Sequence, residues 1–241
     1  MNNDKFWIGG RQNVLSVLNE KICLEILIDE KRKDANKYKM YKKVKLVSKK
    51  NIDMKFSTLP SYSHQGFAAL INQDKIKKIE DCFKNEINLN ILAIDDVQDI
   101  GNYGTIIRSC VAFGINTILL KKNNLTKKLS LIFKNSAGAF KHINIIYTSN
   151  IFNEIKKFKN NDYMIVSLDA KSSTSISSFK WYKKNLIIIG SEDKGIKKNI
   201  LKKSDFIIKI DTNKNLESLN VAQATSICLY DLSLKKITSN L

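Results

Sequence analysis

The chain of 241 residues has one proline, Pro60, and two histidines, His64 and His142. Neither histidine has a second metal-binding side chain at ligand spacing, which excludes a zinc hydrolase or deaminase and predicts no metal. The four cysteines, at 23, 82, 110 and 228, form no C-x-x-C pair. Scattered, reduced thiols of this kind suit a cytoplasmic protein. No apolar run approaches the length of a membrane span, and MNNDKFWIGG lacks the basic start and apolar segment of a signal peptide. Also missing are G-x-G-x-x-G after a strand, G-x-x-x-x-G-K-[ST] and G-x-S-x-G, so dinucleotide crevices, P-loops and nucleophile elbows are disfavoured.

Arginine is scarce as well, and its scarcity is informative. Of 41 basic residues only Arg11, Arg32 and Arg108 are arginines, and the formal net charge is +18. So large an excess predicts a polyanionic partner, because clustered lysines attract phosphates and release counterions. Residues 31–50, KRKDANKYKMYKKVKLVSKK, carry nine lysines and one arginine against one acid and are the candidate docking segment for a nucleic acid. The competing reading is a compositional bias that uses lysine as the default surface residue.

Hydrophobic residues make up 43% of the chain, enough for a packed core. Residues 1–72 read as a small α/β domain: a helix within 10–20, strands at 24–30 and 44–48, and a closing strand FAALI. Residues 73–88 are polar and read as a helical or loose linker. From 89 to 241 apolar strand candidates recur at 91–95, 116–120, 143–147, 163–168, 186–190 and 206–210, most separated by lengths suited to helices. That pattern predicts a mostly parallel sheet covered on both faces, with its ligand site beyond the carboxyl ends of the strands.

Three loops after such strands hold the unusual residues. DVQDIGNYGTIIRSCVAFG places Arg108 six residues after Asn102, about one and two-thirds helical turns on. Ile106, Ile107, Val111 and Ala112 are expected to face the sheet. A guanidinium here is either snorkelling from a half-buried helix or holding a phosphate, a task for which its fork suits it better than an ammonium. In IIIGSEDKGI, Gly190 would let backbone approach a ligand closely, or the segment is a plain strand-to-helix turn with an acidic cap. In NLESLNVAQATSICLYDL, Ser218 is an N-cap candidate for an apolar helix with small residues, fit for a subunit interface or for burial against the sheet.

Together these segments resemble the SpoU/TrmH family of RNA ribose 2'-O-methyltransferases. DIGNYGTIIRS, GSEDKG and SLNVAQA match its three motifs in order and spacing, and KNSAGAFKHI is similar to its S-A-G-A-x-x-H segment. IGGRQNVLSVL and SHQGFAA resemble the start and end of the small L30e-like domain that precedes many of its catalytic domains. The resemblance implies an α/β fold of the SPOUT class, whose mostly parallel C-terminal sheet carries a deep trefoil knot. It also implies S-adenosylmethionine as cofactor and a homodimer with an active site formed from both subunits. By the same resemblance Arg108 is the catalytic arginine, assisted by Asn102, Glu192, Ser218 and Asn220. The cofactor would rest on Ile189, Gly190, Ile210 and Leu219, with Ser136 and Gly138 nearby. The two-domain form looks most like the branch that methylates a guanosine of large-subunit rRNA; the alternatives are tRNA, another rRNA site, or a non-catalytic ribosome-assembly protein. One departure stands out: IKIDTN replaces the family's I-P-M-x-G.

Overall fold

The structure, a computed structural model, describes residues 5–59, 62–72, 76, 77, 79–83, 89–121, 129–213, 215, 216 and 218–238. Pro60 and much of 73–88 lie outside them. Along the chain come β1 (Lys5–Gly9), α1 (Arg11–Ser16), β2 (Cys23–Asp29), β3 (Val44–Val47), α2 (Lys49–Lys55), β4 (Phe67–Asn72) and β5 (Ile76–Lys77). Next are β6 (Asn90–Ile94), α3 (Ile100–Ala112), β7 (Thr117–Lys121), α4 (Leu129–Asn135), β8 (Asn144–Thr148), α5 (Ile151–Lys159) and β9 (Met164–Leu168). The chain ends with β10 (Thr174–Ser175), β11 (Asn185–Ile189), α6 (Lys198–Leu201), β12 (Phe206–Lys209) and α7 (Val221–Thr238). It divides into two compact units, one of Met1–Asp74 with Lys127–Lys141, the other of Lys75–Thr126 with His142–Leu241.

The first unit is a four-stranded sheet in the order β1-β4-β2-β3, with β4 antiparallel to both neighbours and β3 parallel to β2. Its core gathers Leu27, Ile52, Phe56, Tyr62 and Ala68, joined by Trp7 and by Leu131 of α4. Phe56 stacks on Tyr62 at 4.3 Å between ring centroids, and burial pushes the Tyr62 hydroxyl up to about 12. His64 closes the unit. Its Nδ1 accepts from the Gly66 amide at 3.0 Å, so its proton sits on Nε2, 2.7 Å from Asp53. Gln65 and Gly66 then take left-handed φ values of 55° and 75°, and a Cβ on Gly66 would stand 3.0 Å from the Arg32 stem. The HQG sequence is thus a turn lock.

The second unit is an eight-stranded sheet in the order β10-β12-β9-β11-β6-β7-β8-β5, and every pairing in it is parallel. Every residue of β6 and β11 is buried, as the continuous apolar runs predict for central strands covered on both faces. Each fully buried isoleucine or leucine there contributes roughly 1.5–3 kcal/mol over an exposed one. The linker reading of 73–88 needs correcting where the residues are described. Ile76–Lys77 pairs with β8 as the sheet's last strand, and the turn Ile79–Cys82 buries Ile79 and Cys82.

Candidate active site

Strand order fixes where a site can form. From β6 the chain steps outward to β7 and β8, then returns to β9, and β11 inserts between β9 and β6. The loops leaving β6 and β11 therefore emerge side by side, at the crevice where open α/β sheets bind ligands. The Asp95 amide donates to the Ile189 carbonyl at 2.9 Å and ties the two strand ends together.

Three of the expected catalytic residues meet in this crevice. Asn102 lies in the first turn of α3, whose N-cap Asp99 accepts from the Gly101 amide at 2.8 Å. Asn102 Nδ2 donates to Glu192 Oε1 at 2.5 Å, and Asn220 Nδ2 donates to Asn102 Oδ1 at 3.1 Å. Asn220 Oδ1 accepts from the amides of Ala222 and Gln223 at 2.8 and 3.4 Å. A carboxylate only accepts, so Glu192 dictates the orientation of Asn102, and Asn102 that of Asn220. The chain of amides ends by capping α7. Asn220, not Ser218, is therefore the side-chain cap of that helix; Ser218 is exposed.

Below this junction α3 and α7 run in the same direction. Ser109 Oγ and Ser226 Oγ are 2.6 Å apart, and the Phe113 and Tyr230 rings are 5.7 Å apart. Ile106 and Ile107 are buried as expected, but Val111 is only half-buried and Ala112 exposed. Ser109 and Cys110 take their places, because the buried face turns with α7.

Gly190 makes room for the turn that follows β11. A Cβ there would lie 2.2 Å from the Gly195 carbonyl carbon, so the glycine admits the chain's own backbone. Ser191 and Gly195 exchange hydrogen bonds of 3.2 and 2.9 Å, folding 191–195 into a tight turn that presents Glu192 to Asn102. Glu192 Oε2 also accepts from the Gln98 amide at 3.3 Å, a partner no motif announced.

A charged clamp, also unannounced, supports the crevice. Lys197 Nζ reaches Asp95 at 3.2 Å and Asp96 at 2.6 Å, and Lys121 Nζ reaches Asp96 at 2.9 Å. Burial alone would raise the Asp96 carboxyl, but hydrogen bonds from Lys197 and Lys121 hold it below the ordinary carboxylate range. The same contact, led by Asp96, raises the Lys197 ammonium. The sequence signal for it was the Asp95-Asp96 pair at a strand end; in the fold Asp96 takes a left-handed φ of 58°.

Arg108 stands apart from the amide chain. It is exposed on α3 and makes no hydrogen bond or ion pair with any described residue. Ile189 is buried at the end of β11, while Ile210 and Leu219 are half-buried after β12 and before α7. The backbones of Gly190, Ile210 and Leu219 make no hydrogen bond with a described residue. Ser136 and Gly138 belong to the first unit. There the Ser136 hydroxyl donates to the Phe133 carbonyl at 2.7 Å, and Gly138, with φ of 86°, abuts Ser16. The described residues contain no cluster of three or more metal-ligating side chains, and none of their helices is long and apolar enough to cross a membrane.

Known proteins resemble this chain in sequence and in fold. The chain is 31% identical over 214 residues to a Staphylococcus saprophyticus protein assigned by name to the TrmH family of tRNA/rRNA methyltransferases, covering 87% of this chain and 83% of that one. It is 30% identical over 185 residues to an uncharacterized tRNA/rRNA methyltransferase of Borreliella burgdorferi, covering 72% and 81%. Its fold matches the SpoU methyltransferase AviRb of Streptomyces viridochromogenes, solved with AdoMet, with a TM-score of 0.80 at 18% identity over 98% of this chain and 91% of that one. The model of the SpoU rRNA Methylase family matches residues 89–230, the stretch that contains β6, α3, β11 and most of α7. The chain belongs to the SpoU rRNA methylase family.

Proposed function

We propose that this protein transfers a methyl group from S-adenosylmethionine to a ribose 2'-hydroxyl of RNA, and that its target is a guanosine of large-subunit rRNA. The observation that carries the reading is the chain Glu192–Asn102–Asn220 at the carboxyl ends of β6 and β11, with an arginine on the same helix as Asn102 that has no partner among the described residues. The backbones of Gly190, Ile210 and Leu219 fit a compact cofactor, since their unused N–H and C=O groups suit its amine, carboxylate and base edges. When bound, S-adenosylmethionine supplies a methyl group already activated by the sulfonium charge, so no metal is needed to polarise it.

The remaining work falls to the chain itself. A 2'-hydroxyl must shed its proton as it attacks, to the neighbouring phosphate or to solvent. Arginine is not a free base at neutral pH, so Arg108 acts as a fixed cation that holds the neighbouring phosphate and stabilises developing negative charge on the oxygen. Glu192, fixed by Asn102 and Gln98, orients the loop that borders the cofactor. Alignment of the two reactants supplies most of the remaining acceleration.

A homodimer belongs to the same reading. The outer face of α7 shows Ile227, Tyr230 and Leu234 at 41, 51 and 45% exposure, an apolar stripe on a helix whose opposite face is already buried. Changing Tyr230 and Leu234 to Glu should convert a dimer to a monomer in sedimentation at micromolar concentration. A monomeric wild type would remove the dimer from the proposal.

The test of function is methyl transfer from labelled S-adenosylmethionine to unmodified large-subunit rRNA and to tRNA, with product mapping and Arg108→Ala alongside. A 2'-O-methyl guanosine in rRNA, lost in the variant, is the expected result. A product on tRNA would move the target, and RNA binding without product would leave a non-catalytic protein.

A further inference from the structure

The segment just past Glu192 is more basic than its fold requires. Residues 193–204, DKGIKKNILKKS, carry five lysines against Asp193 alone. Ile196 and Ile200 are buried and anchor the segment, leaving Lys194, Lys198, Lys202 and Lys203 exposed. Lys197 is held by Asp95 and Asp96, so the ridge is tied to the end of β6. The other four have no carboxylate partner among the described residues and fall within ten positions, whereas Lys156, Lys171 and Lys180 of the same unit, also without one, are scattered.

Local structure does not account for the run. Lys198 and its C-cap Lys202, four residues apart across the single turn of α6, are like charges that repel one another. Lysines gain from a helix dipole only at its C-terminal end, which leaves Lys194 and Lys198 without that benefit and Lys202 and Lys203 with the small dipole of a single turn. An external polyanion resolves the excess, and the ridge begins two residues from the carboxylate that orders the amide chain.

We infer that the ridge 194–203 binds the phosphate backbone of the RNA strand flanking the target nucleotide. This inference rests on the RNA reading above and adds a second contact surface to the Lys-rich segment 31–50. The ridge positions substrate and takes no part in the chemistry.

The test compares two charge-matched triple variants of the full chain. In one, Lys198, Lys202 and Lys203 become Ser; in the other, Lys156, Lys171 and Lys180, which are also exposed in the same unit, become Ser. Anisotropy of a fluorescein-labelled single-stranded rRNA fragment is followed from roughly 50 to 200 mM salt. The ridge variant should bind at least about tenfold more weakly at the low-salt end. Its salt slope should fall by about 0.7 for each phosphate that the ridge no longer neutralises. The control should stay within about twofold of wild type, and both should bind S-adenosylmethionine by calorimetry as wild type does. Equal weakening in the two variants would show only a net-charge effect and overturn the inference, as would a ridge variant identical to wild type. Methyl transfer by wild type with an unchanged ridge variant would sink the ridge alone. RNA binding abolished with the ridge, but no methyl transfer by wild type, would sink the enzymatic reading alone.

Discussion

Arg32 in the first unit and Arg108 in the second are the same side chain under opposite conditions. The Arg32 guanidinium bonds Asp34 at 2.9 and 3.3 Å, donates to the Gln65 carbonyl at 3.0 Å and lies 4.5 Å from the centre of the Phe67 ring. Arg11 approaches the same Asp34 at 3.5 Å. Arg108 has no such company among the described residues, although buried neighbours flank it along α3. Where an arginine is engaged by its own chain it serves the fold; where its donors are left open, it is available to something else. In a protein that otherwise uses lysine, both uses depend on the planar five-donor fork, which an ammonium cannot reproduce.

Substitutions can break this contrast. The largest effect is expected at Arg108: Ala or Lys there should each lower methyl transfer by about 100- to 1000-fold, with the thermal midpoint unchanged. Activity retained in Arg108→Lys would mean that charge alone suffices. Arg32→Ala should do the reverse, lowering stability in urea unfolding by roughly 1–2 kcal/mol as the Asp34 pair and the stacking on Phe67 disappear. Unchanged stability there would erase the contrast from the other side. The smallest effect belongs to the clamp. Asp96→Asn keeps a residue tolerant of left-handed backbone but loses the lysine attraction, at a cost on the order of 1 kcal/mol at pH 7. Because the Asp96 carboxyl is held below its ordinary value near ~3.9, its contribution is complete above that pH and is lost as pH falls through the lower folded value. The gap between wild type and Asp96→Asn should therefore close in acid, and a gap independent of pH would argue against the ion pairs.

Six of the eight strands of the second unit were legible to within about one residue because buried parallel strands are written as continuous apolar runs, whereas the two-residue β5 and β10 were not. β1, KFWIG, was not, since it buries only its last two residues deeply and begins on a lysine. α2, KKNIDMK, was hidden for a similar reason: Ile52 is its one buried side chain, in a basic stretch. Nothing in LSLIFKN says that α4 joins the first unit, where Ser130 bonds the Trp7 carbonyl and Phe133 meets Phe6 at 5.2 Å. At the site, the motifs named Asn102, Glu192 and Asn220 but could not say that one hydrogen-bonded line joins them. Lys121 and Lys197 were invisible because any of 41 basic residues had an equal claim to Asp96.

The late insertion of β11 also bears on how the protein is made. β6 needs Asn185–Ile189 on one flank, a partner 95 positions further along the chain in the observed register. Until that segment leaves the ribosome, Asn90–Ile94, apolar but for Asn90, presents an open edge of the kind that recruits strands from other chains. Assembly of the second unit is therefore governed by long-range closure and should be slow beside domains of local topology. Chains interrupted before residue 185 should aggregate, whereas those interrupted within α7 should retain a paired β6.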